Sequence, residues 1–151
     1  MSTPVLQCIE VTDGQGRVVA PEWLQRAEAA HRQLRPQLPP DYSTKMQRVF
    51  GQGGRMVLAV QGDAVLGLAV WRIFENTHSG MQVYVDDLVT DESRRSEGVG
   101  RALLDWLSAR AQMLKAANLA LDSGTHRVNA HRFYLRERFD ITSFHFNKKL
   151  D

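Results

Sequence analysis

The sequence predicts an α/β domain whose central sheet has mixed strand directions and is flanked by helices. Apolar residues recur with period two through the middle of the chain, and helical periods lie on either side of that stretch. Gly62–Asp63 supplies a hairpin signal between two β-type runs.

Each element has its own signal. VLQCIEV (5–11) reads as a strand, and TDGQGR as the turn after it. PEWLQRAEAAHRQLR (21–35) reads as a helix, with Pro21 at the first helical position, where no N–H is needed, and Pro36 ending the pattern. DYSTKMQRVF (41–50) gives a second, short helix after Pro39–Pro40, closed by Gly51. RMVLAVQ and AVLGLAVWRIF are strands on either side of the Gly62–Asp63 turn, and the apolar centre of MQVYVDDLVT (81–90) suits a buried strand. From Gly98 the period becomes helical, with Val99, Leu103, Leu107, Ala111 and Leu114 on one face. LALDS (119–123) is the next strand and NAHRFYLRER (129–138) a short helix. FDITSFHFNKKL (139–150) alternates as a closing strand.

The bulk properties narrow the function classes. A chain of 151 residues without repeats or linkers is expected to form one domain, residues 1–151, with a proper core. Its 43% apolar content is that of a globular protein, which excludes disordered and fibrous classes. No apolar run approaches the roughly 20 residues of a membrane-spanning helix. The opening MSTPVLQCIEV lacks the basic flank and apolar core of a secretion signal, and Cys8 has no second cysteine to pair with, so a reducing cytoplasm is expected. Nineteen basic and 17 acidic residues leave a net charge of +2, without the dense basic stripe of a nucleic-acid binder. The positive charge is local, at Arg94, Arg95 and Arg101 and again at Lys148 and Lys149.

The stretch RRSEGVGR (94–101) stands where a helix begins. A helix N-terminus offers unpaired N–H groups and a positive dipole end, glycine lets a phosphate approach the backbone, and arginine adds fork-shaped donors. The stretch therefore reads as a pyrophosphate seat. No Gly-Lys-Ser/Thr follows, so it is not a nucleotide P-loop. A third glycine would fall at Leu103, so it is not the dinucleotide fingerprint either.

Arg95-Ser96-Glu97-Gly98-Val99-Gly100 resembles the Arg/Gln-x-x-Gly-x-Gly/Ala signature of the GNAT superfamily of N-acetyltransferases. Ala130-His131-Arg132-Phe133-Tyr134 resembles that family's late helix, and the element order agrees over nearly the whole chain. The final segment is locally similar to the ending of the aminoalkylphosphonate acetyltransferase branch. One departure stands out: Arg138 occupies the position where the family has a glycine before an aromatic residue.

The resemblance implies a mostly antiparallel sheet of six to seven strands with about four helices, and a splayed strand pair that forms an acetyl-CoA cleft. It implies transfer of acetyl from acetyl-CoA, as co-substrate and without a metal, to an amine by direct attack on the thioester. Arg94, Arg95, Ser96, Glu97, Gly98, Val99, Gly100 and Arg101 would hold the pyrophosphate, and the main chain of Leu88, Val89 and Thr90 the pantetheine and thioester. Tyr134 would be the general acid. Asn129 borders the expected groove as a helix cap or a cofactor contact. Family members are often dimers, so a homodimer is among the expectations.

Asp86 and Asp87 are unusual in a strand, because two adjacent carboxylates cost desolvation unless paired or wet. Alternation puts them on opposite faces, one toward the acceptor and one in a structural pair. The family resemblance favours Asp86 as base or amine-binding group, which points to a small cationic amine, polyamine or amine metabolite as acceptor. The resemblance of the ending points to an aminophosphonate-like compound, and protein N-termini stay open. A lysine-like amine, pKa about 10.4, far outbids an ordinary aspartate of about 3.9 for a proton, so such a base needs a raised pKa or a water relay. His126, His131 and His145 fit no usual metal-ligand spacing. The competing class is a CoA-binding regulatory or interaction module without turnover. A third is an RNA-associated protein using the basic loop, whose binding would weaken steeply with salt.

Overall fold

Glycine and proline set several of the element boundaries. The computed structural model describes residues 4–151. In chain order it holds β1 (Gln7–Glu10), α1 (Pro21–Leu34), α2 (Tyr42–Gly51), β2 (Arg55–Gln61), β3 (Ala64–Asn76), β4 (Gly80–Thr90), a 3₁₀ turn (Glu92–Arg94), α3 (Val99–Met113), β5 (Asn118–Leu121) and α4 (Val128–Arg136). Pro21 does open α1, and the Asp41 carboxylate caps α2 by accepting the Thr44 amide at 3.1 Å. Gly62, at φ +59°, makes the two-residue turn that joins β2 to β3.

The strands form one five-stranded sheet in the order β1-β2-β3-β4-β5, with antiparallel pairing from β1 through β4. Its two faces have separate covers. Met56, Leu58, Val60, Leu68 and Val70 pack with Leu24, Ala27 and Ala30 of α1 and Tyr42, Met46 and Phe50 of α2. Alternation turns the intervening Val57, Ala59, Ala69 and Trp71 to the other face, all of them buried. The apolar stripe of α3 (Val99, Leu103, Leu104, Leu107, Ala111) is buried too, and Trp71 meets Trp106 of α3 edge-on at 6.0 Å between ring centroids.

The sheet has five strands rather than six to seven, because residues 139–150 form no strand. Their alternation is real, but a strand exists only through ladder hydrogen bonds to a neighbour, and this segment has none among the described residues. Ile141, Phe144, Phe146 and Leu150 are accordingly between 75% and 91% exposed.

The chain divides into two compact units, one reaching to Ala120 and one from Leu121 onward. Within the second, α4 starts one residue earlier than its pattern suggested. Arg127 holds the N-cap position and Asn129 lies inside the first turn, where its side chain accepts from Arg132 at 3.4 Å, so Asn129 is not the cap. The helix ends in a Schellman turn. The Phe139 amide donates to the Tyr134 carbonyl at 3.0 Å, and the Arg138 amide to that of Leu135 at 3.1 Å. Arg138 sits at φ +69°, so it adopts the left-handed conformation that a glycine would take there. A side chain in that region costs roughly 1–2 kcal/mol. Arg138→Gly should therefore raise stability by about 1 kcal/mol, a gain of roughly 2–4 °C in Tm by calorimetry. A lower Tm would show that the arginine side chain supplies more than its backbone costs.

Candidate functional site

β4 delivers the chain to a glycine turn, and both ends of that path are built to offer main-chain donors. The Asp91 amide donates to the Leu66 carbonyl on β3 at 2.7 Å, and Val89 pairs with Leu68 in the same register. Since successive amides of a strand alternate sides, those of Leu88 and Thr90 point away from β3. On that side lies β5, whose four residues face an eleven-residue β4, and the two meet near the start of β4, where Ala117 donates to the Met81 carbonyl at 2.8 Å. The far half of β4 therefore outruns its neighbour.

Beyond Thr90 the chain turns twice. Asp91 accepts from the Ser93 amide at 2.9 Å, and Glu92 donates to the Gln33 side chain of α1 at 2.9 Å. Ser96 (φ +67°) and Gly98 (φ +82°) are both left-handed, and Gly98 is the N-cap of α3. A Cβ on Gly98 would meet nothing within 4 Å, so the backbone angle rather than space demands glycine there. The first helical bond runs from Ala102 to the Gly98 carbonyl, at 3.0 Å. Among the described residues, no acceptor meets the amides of Glu97, Gly98, Val99 or Gly100. They are the free positive end of a 15-residue helix.

Gly67 holds this seat against the sheet. A Cβ there would lie 2.6 Å from the Val89 carbonyl oxygen and 2.8 Å from Cγ1 of Val99, so only glycine lets β3, β4 and the first turn of α3 meet so closely. The arginines divide. Arg94 turns to its own loop, donating to Glu97 at 3.0 Å and to the Gln61 side chain at 2.6 Å, while Arg95 and Arg101 are exposed beside the turn. Glu97 thus braces Arg94.

The aspartates depart from the expected alternation. Val70 pairs with Asp87 but Trp71 with Val85, so Asp86 is the extra residue of a β-bulge. Both carboxylates are consequently held on the side of α1 and α2. The Arg72 Nε donates to both oxygens of Asp86 at 3.0 and 3.1 Å, and Arg72 Nη1 reaches the Gln52 carbonyl at the end of α2. Asp87 accepts from His31 Nε2 at 2.7 Å and from Arg35 Nε at 2.8 Å, and Arg35 also reaches the Asp86 carbonyl at 3.2 Å. Burial would push the Asp87 carboxyl up, but the hydrogen bonds and charges of His31 and Arg35 outweigh it and leave it below the ordinary carboxylate range.

His31 was not legible as a site residue, although its place among Leu24 and Ala27 on the apolar face of α1 was a signal. It is 1% exposed, with Nδ1 2.8 Å from the Tyr42 hydroxyl. Burial, with the nearby charges of Glu28 and Asp87, pushes the Tyr42 phenol well above its usual range, so Tyr42 keeps its proton. A neutral imidazole that accepts from Tyr42 and donates to Asp87 satisfies every partner.

Next to this network lies a cavity of about 230 Å³. Its walls include His31, Arg35, Lys45 and Asp87, over an apolar floor of Met46, Val49 and Val70. Leu38 and Pro39 form its rim, and Arg32 pins both by donating to their carbonyls at 2.6 and 2.7 Å.

In the second unit, Tyr134 is the buried residue of α4, packed beside Phe133 and Phe139 at ring distances of 5.6 and 5.8 Å. Its hydroxyl makes no hydrogen bond among the described residues. Burial raises its pKa, opposed in part by the charge of Arg127. The Ser123 hydroxyl is buried without a partner, and His145 pairs with Asp122 at 2.9 Å. No cluster of three or more metal-binding side chains occurs among the described residues, and none of their helices is long and apolar enough to cross a membrane.

Residues 21–139 match the family described as Acetyltransferase (GNAT) family. The chain is 40% identical over 72 residues to the uncharacterized N-acetyltransferase YhdJ of Bacillus subtilis (strain 168), covering 47% of this chain and 51% of the relative. It is 31% identical over 94 residues to the aminoalkylphosphonate N-acetyltransferase of Salmonella typhimurium, covering 62% of this chain and 61% of the relative. It thus spans between half and two thirds of the length of these relatives. The fold is shared with the aminoglycoside N-acetyltransferase AAC(6')-Iy, solved in complex with CoA, at a TM-score of 0.82 and 13% identity, over 99% of this chain and 97% of that one.

Proposed function

The chain belongs to the acetyltransferase (GNAT) family, and on that premise we propose that it transfers acetyl from acetyl-CoA to the primary amine of a small metabolite. The observation that carries the reading is the row of unpaired amides at Glu97–Gly100, in a turn whose left-handed Gly98 leaves them open to an anion. Acetyl-CoA would supply an activated acyl group as its thioester. The turn, with Arg95 and Arg101, would hold the pyrophosphate, and the outward amides of Leu88 and Thr90 the pantetheine arm and the thioester oxygen. Donors fixed in a strand need no reorganisation as the carbonyl gains negative charge. The amine nitrogen bonds to the carbonyl carbon, the carbon–sulfur bond breaks, and Tyr134 gives its phenolic proton to the departing sulfur.

The proton lost by the amine needs a route. Both oxygens of Asp86 are engaged by Arg72, so in our reading Asp86 orients a water that passes the proton to solvent. Arg138, which stands where the family has a glycine, takes the glycine-like angle and completes the turn after α4. The enzyme reading is therefore favoured, with the cytoplasm as its setting. A homodimer is part of this reading, and light scattering of the protein in solution checks it.

Calorimetric titration with CoA tests the seat. Wild type should bind with a one-site isotherm, and Gly98→Val should bind about tenfold more weakly, because a β-branched residue cannot hold the left-handed cap. Equal affinity in the two proteins would remove the pyrophosphate from this turn.

A further inference from the structure

We infer that the acceptor carries an acid group as well as its amine, and that Lys45 and Arg35 receive that acid in the cavity beside Asp87. The inference rests on the proposed acetyl transfer and names the substrate class. Adjacent aspartates in a strand suggest a cationic acceptor only while their charges are free, and here both are committed. Asp86 is in a two-point pair with Arg72, and Asp87 is shared between Arg35 and His31. What remains on the cavity wall is positive. Arg35 and Lys45 against Asp87 leave one net positive charge with His31 neutral, and two with it protonated. Arg35 already answers Asp87. The ammonium of Lys45, half-buried on α2, has no hydrogen bond or ion pair among the described residues.

Size narrows the class further. A volume of about 230 Å³ is roughly eight times the share of one liquid water, enough for an amino-acid-sized molecule. The apolar floor of Met46, Val49 and Val70 suits a short methylene linker. Asp87, on the wall, directly precedes Leu88, whose amide lies on the open side of β4, so an amine anchored by its acid end would be held beside the proposed thioester site. Carboxylate, sulfonate and phosphonate share the chemistry that a lysine and an arginine would bind.

The test is thiol release from acetyl-CoA with a series that keeps two methylenes between the amine and the varied end group: β-alanine, taurine and 2-aminoethylphosphonate against propylamine and 1,2-diaminoethane. At least one acid-bearing amine should exceed propylamine in kcat/KM by about thirtyfold or more, with the diamine the poorest. Lys45→Met should cut that discrimination about tenfold through KM, and Lys45→Arg should restore most of it. Preference for propylamine or the diamine overturns the inference and leaves acetyl transfer standing. So does a Lys45→Met effect equal for all acceptors. Turnover of no amine by a protein that binds CoA overturns both readings.

Discussion

Asp87→Ala should lower the free energy of unfolding by about 2 kcal/mol, measured by urea denaturation at pH 7. The substitution strips the buried His31 of its acceptor, and a buried polar group left unsatisfied costs roughly 1–3 kcal/mol, while Arg35, 42% exposed, can turn its charge to water. Asp87→Asn should lose less, since the amide oxygen can still accept from the imidazole. The pH dependence has a definite sign. The folded carboxyl titrates below its unfolded counterpart, so its contribution is complete above the unfolded value of about 3.9 and vanishes as pH falls through the lower, folded one. The wild-type advantage over Asp87→Asn should shrink as pH falls below about 4. A loss under about 1 kcal/mol for the alanine variant would mean that water replaces the carboxylate without penalty.

Tyr134→Phe should lower kcat about a hundredfold while leaving the affinity for CoA unchanged, the range for a lost general acid. The ring packing against Phe133 and Phe139 survives the change, so stability should move little. Because burial raises the phenol's pKa, the wild-type hydroxyl stays protonated up to at least about pH 10, and no alkaline loss of rate below that pH belongs to it. A variant with undiminished kcat would assign proton donation to solvent.

Local signals carried the fold a long way. Pro21, the Gly62–Asp63 turn and the apolar stripe of α3 each act within a few residues, and each element they announce is present. A glycine at a helix start is likewise a local signal, and Gly98 takes the left-handed conformation there. What escaped was pairing over distance. His31 and Arg35 meet Asp87 across 56 and 52 residues, and no periodicity in α1 names a partner that far away. The bulge at Asp86 inserts one residue into a period of two, which turns both carboxylates to one side. The alternation of residues 139–150 failed for the converse reason, since it describes a surface and not a neighbour.

Gly67 gives the molecule a ruler. With no side chain between them, Val99 at the head of α3 and the carbonyl of Val89 are spaced by atomic contact alone. In the proposed site, the stretch from the amides of the Gly98 turn to those of Leu88 and Thr90 is then a fixed length that a donor's arm would have to match. An acyl carrier with a shorter or longer arm would anchor at one end and miss at the other.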